Sequence, residues 1–135
     1  MRDILSQFKA ALIAAGNENV YLAFDALPVR GKGGYFTVVG MKSFEASAPV
    51  YSQYTIFLPF KAEVEVGVYT PESDDLQRLY RYFENGVRPT LDGMSGLTTH
   101  ISRLTMKHDS NLKRLVLTAG VSVCGIRRIA RDSDE

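Results

Sequence analysis

The stretch Lys61–Tyr69 constrains this chain more than any other. Ala62, Val64, Val66 and Val68 alternate there with Lys61, Glu63, Glu65 and Tyr69. Side chains leave a strand on opposite sides with period two, so the segment has one dry face and one wet face. A slip of one residue would bury both glutamates, so the register is strongly specified. Each fully buried valine contributes roughly 1.5–3 kcal/mol of transfer free energy. The chain must therefore build a sheet with one face against a core and cover that face with something else.

The remaining residues read as the partners and the cover. Asp3 is placed to cap a first helix in which Ile4, Phe8, Ala11, Leu12 and Ala15 form one stripe, and Gly16-Asn17 stops it. Val20–Asp25 reads as a strand, Leu27–Gly34 as a mobile loop, Tyr35–Phe44 as a second strand and Glu45–Tyr51 as a polar, proline-broken loop. Tyr54–Leu58 extends the alternating strand upstream, with an interruption at Pro59. Asp74 and Gln77 have capping-box spacing for a second helix. Its stripe is Leu76, Leu79, Tyr80, Phe83 and Val87, and Pro89 predicts its end at about Arg88. Thr98–His108 and Leu112–Ile126 flank the turn residues Asp109-Ser110-Asn111 and predict a long hairpin, with Gly120 as a bulge. Residues 126–135 read as a frayed, charged tail. Strands and helices are segregated. The expected fold is a single α+β domain over 1–135: a mainly antiparallel β-sheet, two helices packed on one face and a long C-terminal β-hairpin.

Composition excludes several function classes. With 45% apolar and 23% charged residues the chain can build an ordinary core without a disulfide or metal staple. A net charge of +1 provides little attraction to nucleic acid or an anionic membrane. Cys124 is the one cysteine, so no internal disulfide forms and a reducing compartment is expected. The N-terminus lacks the apolar core of a signal peptide, and no apolar run approaches the roughly 20 residues that span a bilayer. A soluble cytoplasmic product is the expectation.

No residue pattern carries catalysis. Gly31-Lys32-Gly33-Gly34 places a lysine among glycines, but it leads into a strand where a phosphate loop would open a helix, so it reads as a flexible loop. His100 and His108 share one strand and one face, roughly 26 Å apart at about 3.3 Å per residue, too far to bind one metal. Cys124 follows small and apolar residues and reads as a buried structural thiol. Glu63 and Glu65 share a face that is solvated or interfacial. Arg103, Lys107, Lys113, Arg114, Arg127, Arg128 and Arg131 make the last third locally basic, but without the aromatic residues that stack on bases. That stretch reads as a solvated hairpin or a face for acidic residues of a neighbouring subunit; a monomeric nucleic-acid-binding domain is the alternative. Catalytic, metal and cofactor sites are expected to be absent. Long loops and open strand edges point to assembly with other chains.

The order of these elements resembles the tail terminator (tail-completion) proteins of long-tailed bacteriophages and prophages. The likeness covers nearly the whole chain. It includes the strand Ala62–Tyr69, the helix Asp75–Phe83 and the hairpin with Arg103-Leu104-Thr105-Met106-Lys107-His108-Asp109 before its turn. It implies a structural protein of the virion tail, assembled in the bacterial host cytoplasm, with no cofactor and no membrane contact. Six copies would form a ring that caps the tail tube, meets the neck or head connector and lets DNA pass through its lumen as cargo. Another neck, tube or baseplate role is the nearest alternative. By that analogy the interface residues would be Arg30 and Lys32, Glu45 and Tyr51, Glu63 and Glu65, and the hairpin residues Arg103, Lys107, Lys113 and Arg114. A closed ring needs two different complementary patches on each copy. The acidic strand face and the basic hairpin are the expected pair.

Overall fold

The alternating stretch is the second half of β4 (Thr55–Tyr69), the middle strand of a six-stranded sheet. The computed structural model describes residues 2–17, 19–23, 34–70, 75–94, 96–110 and 114–130. β4 lies between β2 (Phe36–Ala46) and β6 (Arg114–Ala130); β1 (Val20–Leu22) adds outside β2, and β5 (Thr98–Asp109) outside β6. A two-residue β3 (Val50–Tyr51) pairs with the start of β4. Every pairing is antiparallel except β1 with β2, which is parallel. The connection over 23–35 is about a dozen residues, long enough to carry the chain back to the same end of the sheet.

The register stacks the dry residues in rows. Val39, Val66 and Ala119 stand opposite one another, as do Met41, Val64 and Val121. Two helical elements cover this face. α1 (Arg2–Ala14) buries Ile4, Leu5, Phe8 and Leu12. The second runs as α2 (Leu76–Tyr82), a π turn (Phe83–Val87) and α3 (Arg88–Asp92), and buries Leu79, Phe83, Val87 and Leu91. All these side chains join the strand valines in one core, and the expected α+β architecture is the one found.

The two helical elements are tied together by Asn17. Gly16 takes the left-handed conformation (φ 105°) that ends α1; its N–H donates to the Ile13 carbonyl and that of Asn17 to the Leu12 carbonyl. The buried Asn17 amide donates to the carbonyls of Leu12 (3.0 Å) and Gly86 (2.9 Å) and accepts from the Tyr82 hydroxyl at 2.8 Å.

Several local expectations are corrected. α1 begins at Arg2, so Asp3 lies inside its first turn. Asp75 caps α2, accepting from the Arg78 amide at 2.8 Å; Asp74 lies outside the described residues. Leu76 and Tyr80, placed in the buried stripe, are exposed. The helix does not stop at Arg88: the π turn closes with the Arg88 amide donating to the Phe83 carbonyl, and Pro89 enters the first turn of α3, where a missing N–H is tolerated. β4 is not interrupted at Pro59. The Pro59 carbonyl accepts from the Ser47 amide at 2.9 Å, and N–H and C=O of one strand residue point to the same edge. The missing amide therefore faces the place where the chain has left β2, and no ladder bond is lost. The Glu45–Tyr51 loop shrinks to residues 47–49 between β2 and β3. In the hairpin the register shifts between Ile101 and Arg103, so the extra residue is Ser102 of β5 and Gly120 lies opposite it. β6 does not fray at Ile126; it continues to Ala130, with each residue from Ile126 onward paired to Pro59–Thr55 of β4.

Candidate assembly interface

The face of the sheet away from the helices is open to solvent, and the register lays its residues out in rows. Glu65, Gly120 and Arg103 form one row, Glu63, Ser122 and His100 the next, and Lys61, Cys124 and Thr98 the one after. Strands lie about 4.8 Å apart, so Glu65 and Arg103 are two strand spacings apart, roughly 10 Å at the backbone. Gly120 leaves the space between them clear, and the Arg103 side chain leans over it: its Cβ and Nε stand 3.6 and 3.8 Å from where a Gly120 Cβ would be. No ion pair joins Glu65 to Arg103 among the described residues. The acidic strand face and the basic hairpin are thus neighbours on one face of one copy, a placement that the reading of two separate patches did not foresee.

At one end of this face an aromatic cluster closes over the sheet. Phe36 stacks on Tyr69 with ring centroids 4.6 Å apart, Tyr21 meets Phe36 edge-on at 6.4 Å, and the Arg114 guanidinium lies 5.2 Å above the Phe36 ring. Arg114 Nη1 donates to the Thr70 carbonyl at 2.7 Å. Arg114 is therefore a buried brace, 3% exposed, and the expectation that it serves a partner is corrected. Burial first, then the carboxylates of Asp109 and Glu65, raise the Tyr69 pKa above its ordinary value. Lys107 lies in the same row as Val116 and Tyr69, exposed on the outer strand. Arg30, Lys32 and Lys113 lie outside the described residues.

The other end carries a feature the sequence reading missed. Upstream of Phe60 the strict alternation of buried and less buried residues stops, and β4 continues as the centre of a three-stranded arm. Val50, Phe57 and Arg128 share one row, and Tyr51, Ile56 and Ile129 the next. Val50 (55%), Tyr51 (63%), Tyr54 (66%), Ile126 (56%) and Ile129 (46%) are all strongly exposed. Arg128 lies 5.7 Å over the Phe57 ring. Glu45, opposite Lys61, stands exposed beside the base of the arm. Successive rows point to opposite faces, so Val50 and Ile126 lie on one face of the arm and Tyr51 and Ile129 on the other, with apolar side chains exposed on both. Tyr54–Leu58 was legible as an extended segment, but Pro49 made its neighbour over Glu45–Tyr51 read as loop and the charges after Ile126 made its other neighbour read as a frayed tail.

The open face offers little chemistry. Ser122 stands between Glu63 and His100 in the ladder, and no hydrogen bond joins the three among the described residues. The bulge at Ser102 places His100 opposite Ser122 on the open face and His108 opposite Leu115 on the other, so the two histidines do not share a face as expected. Cys124 is exposed, not buried, because it falls on the open side of β6. No group of three metal-ligating side chains occurs among the described residues, and no helix among them is long and apolar enough to cross a membrane. A shallow cavity of about 420 Å³ is lined by Tyr35, Arg78, Arg81, Tyr82, Asn85 and Gly86. A second of about 310 Å³ lies on the open face over Gly40 and Gly67, beside Glu65 and Tyr69.

No protein-family model and no curated protein matches the chain. Among solved structures it is similar to the sheath/tube terminator of an extracellular contractile injection system (PVC) in its extended state. That match has a TM-score of 0.50 and 13% identity, and covers 98% of this chain and 58% of the terminator chain. PilO, a type 4 fimbrial biogenesis protein from Pseudomonas aeruginosa, matches with a TM-score of 0.30 and 11% identity, over 94% of this chain and 69% of PilO. The first likeness shows a terminator-like fold; this chain spans 58% of that protein's length.

Proposed function

We propose that this chain is a structural assembly protein of a phage tail or a related injection particle, a terminator that caps the end of a tube. The observation that carries the reading is the terminator-like fold across 98% of the chain. The exposed apolar arm and the open sheet face support it, since both are surfaces that contact between chains would cover. In the finer form of this reading six copies close into a ring through two different patches. The ring sits between the tube protein and a neck or head connector in the virion tail, is assembled in the bacterial cytoplasm, and passes DNA through its lumen as cargo. Glu45, Tyr51, Glu63, Glu65, Arg103 and Lys107 remain the described candidates for contact; no side chain is assigned a catalytic role.

The test is elongation of the tube in the presence of the purified protein, with mass measured by light scattering. The expected result is arrest of growth at a fixed, low ratio and a complex whose mass corresponds to six copies per tube end. Filaments built from this chain alone would make it a tube protein instead. A monomer that leaves elongation unchanged and binds DNA with strong salt dependence would replace the reading with nucleic-acid binding.

A further inference from the structure

Three long strand edges are open among the described residues, and they differ: that of β2 past β1, from Gly40 to Ala46, is broken by a bulge at Lys42, and the other two belong to β5 and β6. The outer edge of β5 carries the bulge at Ser102 and the exposed cations Arg103 and Lys107. Those are the devices that keep an edge from pairing with other chains. The outer edge of β6 opens where β5 ends, at Thr98 opposite Cys124, and runs on through Ile126–Ala130. It has no bulge and no proline. Its inner edge is held in unbroken register by Thr55–Pro59 of β4, so the segment is already extended. All five residues are exposed, including Ile126 (56%) and Ile129 (46%).

We infer that the outer edge of Ile126–Ala130 is a docking site for an extended acidic segment of a partner protein, which adds to the sheet as a further strand. The charge pattern selects the occupant. Arg127 and Arg128 are consecutive, so one guanidinium lies on each face of the arm, each with an isoleucine two places away on the same face. A strand that alternates apolar residues with carboxylates complements both. The same edge of a second copy does not: antiparallel self-pairing centred on this segment sets Arg128 directly against Arg128, and like charges directly opposite are destabilising. The backbone supplies the ladder and the two arginines supply the choice of partner. A monomer would carry this edge as well as a ring would, so the inference stands apart from the ring.

The test uses the full chain and an acetylated, amidated seven-residue peptide in which valine and glutamate alternate, with a valine–lysine peptide as control. The glutamate peptide is expected to bind about tenfold more tightly or better, with affinity falling as salt rises, and to slow amide exchange within residues 126–130. R127E/R128E, on an exposed surface where the fold tolerates change, is expected to reverse the preference and bind the lysine peptide. Equal binding of both peptides, no binding of either, protection along residues 98–109 instead, or self-pairing through 126–130 without peptide would each overturn the proposal.

Discussion

β4 is one strand in two environments. From Phe60 to Tyr69 it lies between β2 and β6 under both helices, and every even residue is buried. From Thr55 to Pro59 it lies between β3 and β6, and no residue is fully buried on either side. The backbone pairing is as continuous in the second stretch as in the first. What differs is the cover, and the side-chain pattern follows it: strict alternation where one face is dry, and the unalternating run Ile56-Phe57-Leu58-Pro59, half-buried throughout, where neither face is covered by a helix. The body is built to hold itself together, and the arm is built to be covered by something else.

The contrast is sharpest between Phe83 and Ile129. Phe83 is fully buried against the strand valines, so Phe83→Ala removes a ring from a packed core and is expected to cost about 3–5 kcal/mol. Ile129→Ala, on the exposed arm, is expected to change stability by less than about 0.5 kcal/mol. Urea unfolding of the two variants measures both numbers, and similar losses would end the distinction between body and arm. Gly125 stands at the junction, opposite Phe60. A Cβ there would meet Phe60 Cζ at 2.6 Å and Leu97 Cδ2 at 2.9 Å. Phe60 is buried and stacked on Phe44 at 5.5 Å, so it yields only by giving up that stack. Gly125→Val is expected to cost about 1–3 kcal/mol, and a neutral result would mean that the junction is looser than its contacts imply.

The same contrast explains what was legible in the sequence. The body could be read because burial imposes a period: Val64, Val66 and Val68 on the strand, and Ile4, Phe8 and Leu12 on the helix, each fall where one dry face requires them. Gly16 was legible as a stop because only a left-handed residue ends α1 that way. The arm was not, since pairing between exposed strands leaves no apolar period, and Ile126-Arg127-Arg128-Ile129 looks like a solvated tail until Thr55–Pro59 is seen beside it. Arg114 and Cys124 were misjudged for a related reason. Residue type predicts an exposed arginine and a buried thiol, but strand register decides, and the single extra residue at Ser102 set the faces of His100 and His108. The Asn17 clamp reaches Gly86, 69 positions further along the chain, a separation that no local pattern reports.

Within the body, the dry face holds a polar side chain without a partner. Thr37 is fully buried in the row of Val68 and Leu117, and its hydroxyl has no hydrogen-bond partner among the described residues. A buried hydroxyl without a partner is a cost that a methyl group of the same shape does not carry. Thr37→Val is therefore expected to raise stability by about 1 kcal/mol, read from the urea midpoint at unchanged slope. A loss would show that the hydroxyl is satisfied in solution and that the row is less dry than its neighbours.

The smallest effect separates the two ends of the open face by pH. Tyr69 has its pKa raised above the ordinary 10.0, first by burial and then by the charges of Asp109 and Glu65. The folded state therefore holds the phenol proton to higher pH than the unfolded chain does. The stability linked to this group is fully present below the unfolded pKa and is lost as pH rises through the raised folded value. Tyr69→Phe is expected to leave neutral stability nearly unchanged and to flatten part of the alkaline decline, with Tyr51→Phe in the arm as the control for losing a hydroxyl. The other side chains are common to both proteins of each pair, so the difference between paired melts isolates Tyr69. Asp109→Asn should then lower the Tyr69 midpoint more than Glu65→Gln does, since Asp109 is the larger of the two charge effects. The reverse order would place Glu65 closer to the phenol in solution, and with it the acidic edge of the open face closer to the aromatic cluster that Arg114 braces.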